Sequence, residues 1–425
     1  MCVVVKEGSI VHREGGGEVF DFRPSLPILV YRPESLTAGR HLMGQLANGN
    51  QPERLFENGR VHHKSRNCHC EERFLRRSNS LFAHWRLLCF ARDDTCGGIF
   101  KHSEKDVTMI TLNDVRSAGQ TIAPYVKRTP TERNHTLSER LRTNVYLKLE
   151  LFQKTGSFKP RGAFNKMLHL RDEEKERGVV AVSGGNFAQG VAYAGKVLGV
   201  RTHIVMPQYT PHNYVAATKS YGAQVELLPD VQAAFDRAEE YKRQGWIYFH
   251  PYDDPDIMQG HGTIGLELLE DVPQLTDVII SVGGGALMGG NAVVIKELKP
   301  SVRIWTVETE GADAMGRALQ AGKVVHIRPT SLAKTLGAPY VAADALRIAQ
   351  RHVQDHIVVS DAQAFRAQVL LLERAKVLTE LAASCTLAAA ERLRDNFSSD
   401  DHVALVLCGG NVSLDDLTEY KRLLE

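Results

Sequence analysis

The sequence predicts an α/β fold in which twisted, mostly parallel sheets are flanked by helices. Three observations predict it. From residue 110 onward, apolar runs of strand length alternate with amphipathic runs of helix length, and strands separated by helices pair in parallel through helical crossovers. Glycine loops directly follow several of these strands: SGGN after VVAV, GGGA after VIISV, and CGGN after HVALVL. The chain has 425 residues, 43% of them hydrophobic, enough for one large domain with a subdomain or for two domains.

Each element has its own justification. TLNDVRSAGQTIAPYV opens with a helix whose N-cap is Thr111 or Asn113, because both side chains accept from free backbone N–H groups. NVYLKLELF alternates as a strand does, and GAFNKMLHLRDEEKERG reads as one helix ended by Gly178. Then VVAVS, RTHIVMP and AQVELLP read as strands, separated by the helices NFAQGVAYAGKVLG and HNYVAATKSYG. TDVIISVGGG, a helix through MGGNAVVIKELKP, and the strands RIWTVE and HVALVLCGG continue the rhythm. No repeat of fixed period stands out.

The first 108 residues read differently. GSIVHREGGGEVF, QLANGNQPER and VHHKSRNCHCEERFLRRSNS show neither period over a useful length, and five of the seven cysteines (Cys2, Cys68, Cys70, Cys89, Cys96) lie there. Cys68, His69 and Cys70 with His62 and His63 invite a zinc reading. A structural zinc site, however, usually spaces paired cysteines by two to four residues and adds a second pair, so none is assigned. The run NCHCEERFLRRSNSLFAHWRLLCFARDD resembles translated palindromic repeat elements of bacterial genomes. Residues 1–108 are therefore expected to be a non-native or disordered extension, with Met109 as the natural start of a catalytic domain over 109–425. A net charge of +2 gives no reason to expect nucleic acid or an anionic membrane as partner. No apolar run reaches the ~18 residues of a membrane span. Without a secretion signal or an even cysteine framework, a cytoplasmic setting is expected.

Ligands of parallel sheets bind where strands end and helices begin, so the loops are candidates for one shared cleft. Gly283, Gly284 and Gly285 can turn backbone N–H groups toward an anion, and Ala286 and Leu287 open the helix behind them. A tight packing turn is the plain alternative. A nicotinamide fingerprint is met only loosely, through Gly284, Ala286 and Gly289 with the second glycine missing, and no P-loop lysine follows. Lys159, in KTGSFKPRGA, sits between Phe158 and Pro160. An exposed lysine is usually just solvated. An amine beside a phosphate seat, though, is what pyridoxal 5'-phosphate requires: a Schiff-base partner and fixed donors for its phosphate.

SFKPRGA, SGGNFAQG, VGGGAL and LCGGN occur in this order, and the chain from about Ile110 onward resembles the serine/threonine dehydratases and serine racemases. These are fold type II pyridoxal-phosphate enzymes related to the tryptophan synthase β chain. SFKPRGA favours the dehydratase branch over the cysteine synthases. The resemblance implies a two-subdomain fold, with a smaller subdomain inserted at about 165–250. It implies that Lys159 carries the cofactor, Phe158 packs on the pyridine face, Asn186 bonds the phenolic oxygen, and Gly283, Gly284, Gly285, Ala286 and Leu287 hold the phosphate. Ser183, Gly184, Asn186 and Phe187 would receive the substrate carboxylate.

Cys408 falls where relatives place serine or cysteine at the pyridine nitrogen. A thiol there cannot keep that nitrogen protonated, which favours loss of a β leaving group; a small buried hydrophobe is the plain reading. Glu380 falls where relatives carry a glutamate near the ring, though Leu381 replaces the usual proline. Relatives that bind Mg²⁺ imply Glu308 and the Ala312 carbonyl as ligands, but Ala314 stands where an aspartate is expected, with Asp313 one place earlier. Feedback through a C-terminal effector domain is not expected. The implied activity is dehydration and deamination of L-threonine or L-serine to a 2-oxo acid and ammonia, on a small-molecule amino acid and in a homodimer. Serine racemisation, in which Gly184 replaces a hydroxyl-bearing residue, stays open, as do 3-hydroxyaspartate dehydration and non-catalytic ligand binding.

Overall fold

The computed structural model describes residues 110–424, together with five short strands in the first 89 residues. The zinc reading of His62, His63, Cys68, His69 and Cys70, and the proposed start at Met109, lie outside the described residues. The chain divides into two units, Met1–Asp106 and Val107–Glu425. In the first, β1 (Cys2–Val5) pairs antiparallel with β4 (Leu29–Tyr31) and β5 (Leu88–Cys89), and β2 (Ile10–Arg13) with β3 (Val19–Phe22).

In the second unit, alternation of strand and helix builds two sheets. The larger comprises β6 (Thr131–Arg133), β7 (Asn144–Lys148), β12 (Asp277–Ser281), β13 (Arg303–Thr309), β14 (Val353–Val359) and β15 (His402–Val406). Its order is β14-β13-β12-β15-β7-β6, parallel throughout except for β6. The smaller comprises β8 (Val179–Val182), β9 (Thr202–Pro207), β10 (Gln224–Leu228) and β11 (Ile247–Phe249), in the order β10-β9-β8-β11 and wholly parallel. Every residue of VVAV and DVIIS is buried, because helices cover both faces of a parallel sheet and leave no strand face to water. One core runs under both sheets. A second, of Val180, Val182, Val205, Ala234, Ala238 and Tyr241, lies beneath the helix Val231–Arg243. Among the described residues, no helix is long and apolar enough to cross a membrane.

Local chemistry explains where elements begin and where they differ from expectation. Thr111 caps the helix Leu112–Ile122 in a reciprocal box with Asp114, which decides between the two candidate caps. The strand read as NVYLKLELF stops at Lys148, and Glu150–Phe152 and Lys154–Gly156 form two short 3₁₀ turns. The cause is Glu150, fully buried, which turns inward to bind Arg161. The expected single helix over 162–178 is two, Lys159–Leu168 and Asp172–Arg177. Arg171 leaves helical geometry and its backbone N–H donates to Glu174, beginning the second helix afresh.

Candidate active site

Lys159 is the first residue of the helix Lys159–Leu168, with Pro160 locking the turn that follows it. The two helices Lys159–Leu168 and Asn186–Leu198 approach so closely that a Cβ on Gly190 would stand 3.2 Å from Lys159 backbone. Lys159 Nζ donates to the carbonyl of Pro251, just beyond β11, at 3.1 Å. It lies 4.9 Å from the ring centre of Phe158 and 5.5 Å from that of Phe187. Burial of the amine lowers its pKa from the usual lysine range to about 8, against opposing fields from Cys408 and Glu380.

A second buried lysine provides the contrast. Lys148, at 0% exposure, bonds Glu267 at 2.7 Å and lies 3.5 Å from Asp271. Arg161, only 1% exposed, holds Glu150 and Glu267 in the same cluster. These charges are paired as buried charges must be. Among the described residues Lys159 has no carboxylate within salt-bridge distance.

Ser183, Gly184 and Gly185 follow β8, and Asn186 begins the next helix with no side-chain cap. Ser183 Oγ accepts from Gly185 N–H at 3.3 Å. A Cβ on Gly184 would stand 2.7 Å from Thr210 Oγ1. Asn186 is buried, and its Nδ2 donates to both oxygens of Glu380 at 2.9 and 3.0 Å. Its Oδ1 accepts from Asn411 Nδ2 at 2.7 Å. Burial pushes the Glu380 carboxyl up to about 7, and its bond from Asn186 works the other way. Gly409 must be glycine here, since a Cβ would fall 2.6 Å from Glu380 Oε1.

Between β12 and the helix Ala286–Leu298 lie Gly283, Gly284 and Gly285. Gly285 has φ +97°, in the left-handed region, and caps the helix. A Cβ on Gly284 would be 1.9 Å from Tyr252 Cγ. Among the described residues, no acceptor takes the N–H groups of these three glycines; with the free N–H groups of Ala286 and Leu287 they form an anion seat at a helix N-terminus. Cys408 follows β15. Its thiol donates to Ala382 O and accepts from Ser281 Oγ, each at 3.5 Å, and burial, with Glu380 nearby, pushes its pKa up to about 12.

Sequence reasoning missed the Pro251 carbonyl, Tyr252, Asn411, Ser281 and His261. His261 is fully buried, edge-on to Phe158 at 4.6 Å, and neither ring nitrogen has a hydrogen-bond partner among the described residues. The HPY triplet before Asp253 was the one available signal, a polar and aromatic cluster at a strand end. The residues read for a cation are arranged otherwise. Glu308 is fully buried and accepts from Met315 and Gly316 N–H, both at 2.9 Å, at the start of the helix Ala314–Ala321. That makes it a helix cap, and no group of three or more His, Cys, Asp or Glu residues able to hold a metal occurs among the described residues. Nothing here supports Mg²⁺ at Glu308 and Ala312.

The remaining groups fit an aldehyde cofactor bearing a phosphate. The fit rests on a buried amine with a carbonyl but no carboxylate for partner among the described residues, N–H groups of a glycine loop that take no acceptor among them, aromatic walls and a buried thiol. The buried hydroxyls of Thr155 and Ser157, just before Phe158, are also without partners among the described residues. Comparison with known proteins agrees. Residues 122–409 match the family described as pyridoxal-phosphate dependent enzyme. An L-threonine ammonia-lyase of Thermotoga maritima is 39% identical over 313 residues, 72% of this chain and 77% of that protein. The structure of maize serine racemase superposes with a TM-score of 0.70 at 32% identity, over 74% of this chain and 98% of that one. The processed form of threonine deaminase isoform 2 from Solanum lycopersicum superposes at 0.70 and 30% identity, over 73% and 86%.

Proposed function

The chain belongs to the pyridoxal-phosphate-dependent enzyme family, and we propose that it is a lyase that dehydrates and deaminates L-threonine or L-serine. The observation that carries this reading is the setting of Lys159: a buried amine bonded to the Pro251 carbonyl, between the rings of Phe158 and Phe187 and with no carboxylate within salt-bridge distance among the described residues, burial lowering its pKa to about 8. A ligand-binding role would not require it.

In this reading Lys159 would hold the cofactor, with Phe158, Asn186 and Cys408 around its ring and Gly283–Leu287 on its phosphate. When bound, pyridoxal phosphate supplies the electron sink that makes an amino acid's Cα–H acidic. The turn Ser183–Phe187 would offer the N–H groups of Gly184, Asn186 and Phe187 to the substrate carboxylate, those of Ser183 and Gly185 being bonded to Val205 O and Ser183 Oγ. Lys159 Nζ, freed as an amine, takes the Cα proton, and a pKa near 8 leaves a useful fraction deprotonated at neutral pH. The β-hydroxyl would depart as water with one proton, which balances the Cα proton taken up by Lys159, and the released enamine would take up one water to give a 2-oxo acid and ammonia. Cys408, its thiol pushed up to about 12 by burial, would present a thiol, and no carboxylate, to the cofactor ring, and so would not hold a ring nitrogen protonated. A homodimer and a cytoplasmic setting are part of this proposal on the strength of resemblance; light scattering of the purified chain tests the former.

The test is a panel of L-threonine, L-serine and 3-hydroxyaspartate assayed for 2-oxo acid. Lys159→Ala is expected to lose about 10²- to 10⁴-fold in rate together with the yellow absorbance of the loaded protein. A chain that stays colourless with added cofactor ends the proposal. Racemisation has one observation in its favour: the Thr210 hydroxyl lies beside Gly184, where a side chain would otherwise project. D-serine formation by the intact chain, lost in Thr210→Val, would establish it.

A further inference from the structure

The helix His212–Ser220 belongs to the smaller sheet, whereas Asn411 follows β15 of the larger one. They meet at Tyr214, 7% exposed, whose hydroxyl donates to the Asn411 carbonyl at 2.5 Å. Asn411 is itself committed in two further directions. Its Nδ2 donates to the Thr155 carbonyl at 2.8 Å and to Asn186 Oδ1 at 2.7 Å. An amide whose oxygen accepts from Asn411 must aim its nitrogen the other way, and Asn186 Nδ2 accordingly meets Glu380.

We propose that Tyr214 is a positioning residue: its hydroxyl ties the helix of the smaller sheet to the Asn411 segment, and Asn411 in turn sets which end of the Asn186 amide faces the cleft. The bond joins elements 197 positions apart, between the half that carries the carboxylate turn and the half that carries the anion seat. It holds the two sides of the cleft at the spacing both must keep. A buried phenol with a single acceptor is well suited, because losing that acceptor leaves a desolvated hydroxyl unsatisfied. Gly156 completes the arrangement, since a Cβ there would stand 2.6 Å from Asn411 Oδ1 and displace the amide.

Two arms test the proposal, and only the second rests on the lyase reading. In the cofactor-free full chain, Tyr214→Phe should speed hydrogen exchange at the Gly410 and Val412 amides, which bond Gly156 and Gly410, by about fivefold. Amides of the helix Val231–Arg243, on the far side of the smaller sheet, should be unchanged. Equal acceleration there, or none at 410 and 412, overturns the proposal. In the loaded enzyme, Tyr214→Phe should raise KM for L-threonine about fivefold with kcat within about twofold. Asn411→Asp keeps the carbonyl that Tyr214 binds but removes the donor to Asn186. It should therefore lower kcat about tenfold with KM nearly unchanged, and wild-type kcat in that variant overturns the amide-setting role. An intact chain inactive on every amino acid leaves the exchange arm standing and removes only the lyase reading.

Discussion

Gly284→Ala asks whether the anion seat is as tightly built as its geometry implies. An ideal Cβ at residue 284 would lie 1.9 Å from Tyr252 Cγ, 2.2 Å from Cδ2 and 2.3 Å from Cδ1. Carbon atoms prefer about 3.5–4.0 Å, so the ring must retreat by about 1.6 Å. It has little freedom to do so. Tyr252 is 8% exposed, its ring centre lies 4.6 Å from that of His250 and 5.6 Å from that of Tyr340, and its N–H donates to His250 Nδ1. If the ring holds, the loop moves and the N–H groups lose their common aim. Overpacking of this kind costs about 1–3 kcal/mol, which urea unfolding of the cofactor-free protein would measure. Pyridoxal phosphate affinity should fall together with stability. Tyr252→Ala removes the obstructing ring, so Gly284→Ala should cost less than about 0.5 kcal/mol in that background. Full stability and affinity of Gly284→Ala in the wild-type background would refute the reasoning, as would an equal cost in both backgrounds.

The charges around the amine give two more predictions. The Glu380 carboxylate raises the Lys159 pKa, so Glu380→Gln should carry it below about 8 and increase the free-amine fraction at pH 7. Acylation of Lys159 in cofactor-free protein, followed by peptide mapping against pH, should then shift to lower pH. Glu380 is an acid whose folded pKa is raised to about 7; its contribution is complete below the unfolded value near 4.5 and is lost as pH rises through 7. The Gln variant should gain about 1–3 kcal/mol over wild type across that window, and a gain confined to low pH would contradict the assignment. Arg161→Met strips the partner from Glu150, which is 0% exposed, and from Glu267. A loss of about 3–5 kcal/mol in urea unfolding is expected, and a loss below about 1 kcal/mol would show that the cluster is not holding buried charge.

Much of this was legible because it depends on local rules. Strands such as VVAV and DVIIS announce themselves by unbroken apolar character, and Gly285 by a conformation few other residues adopt. Asn186 and Cys408 stand out in the sequence because each lies in a short glycine motif just after a strand, and Lys159 because it lies in a short motif that opens a helix. Other features depend on distant partners. NVYLKLELF still alternates after Lys148, and only Arg161, eleven residues beyond Glu150, explains why the strand stops. β14 is written VQDHIVV, with a polar stretch in its first half at the sheet edge, so no apolar run marked it. Tyr214 reads as an ordinary helix residue until Asn411 is beside it, and Glu308 as a cation ligand until Met315 and Gly316 claim its oxygens.

The order of the larger sheet has a consequence for how the molecule is made. β15, the last of its strands in chain order, lies between β7 and β12 rather than at an edge. During synthesis, the segments on either side of that gap are finished long before the piece that joins them exists. Until residues 402–406 arrive, β7 and β12 each present an unpaired apolar border, the kind of border that recruits neighbouring chains. Newly made protein should therefore depend on holdase chaperones late, at the moment of completion, and fragments ending before residue 402 should aggregate instead of waiting in a half-built state.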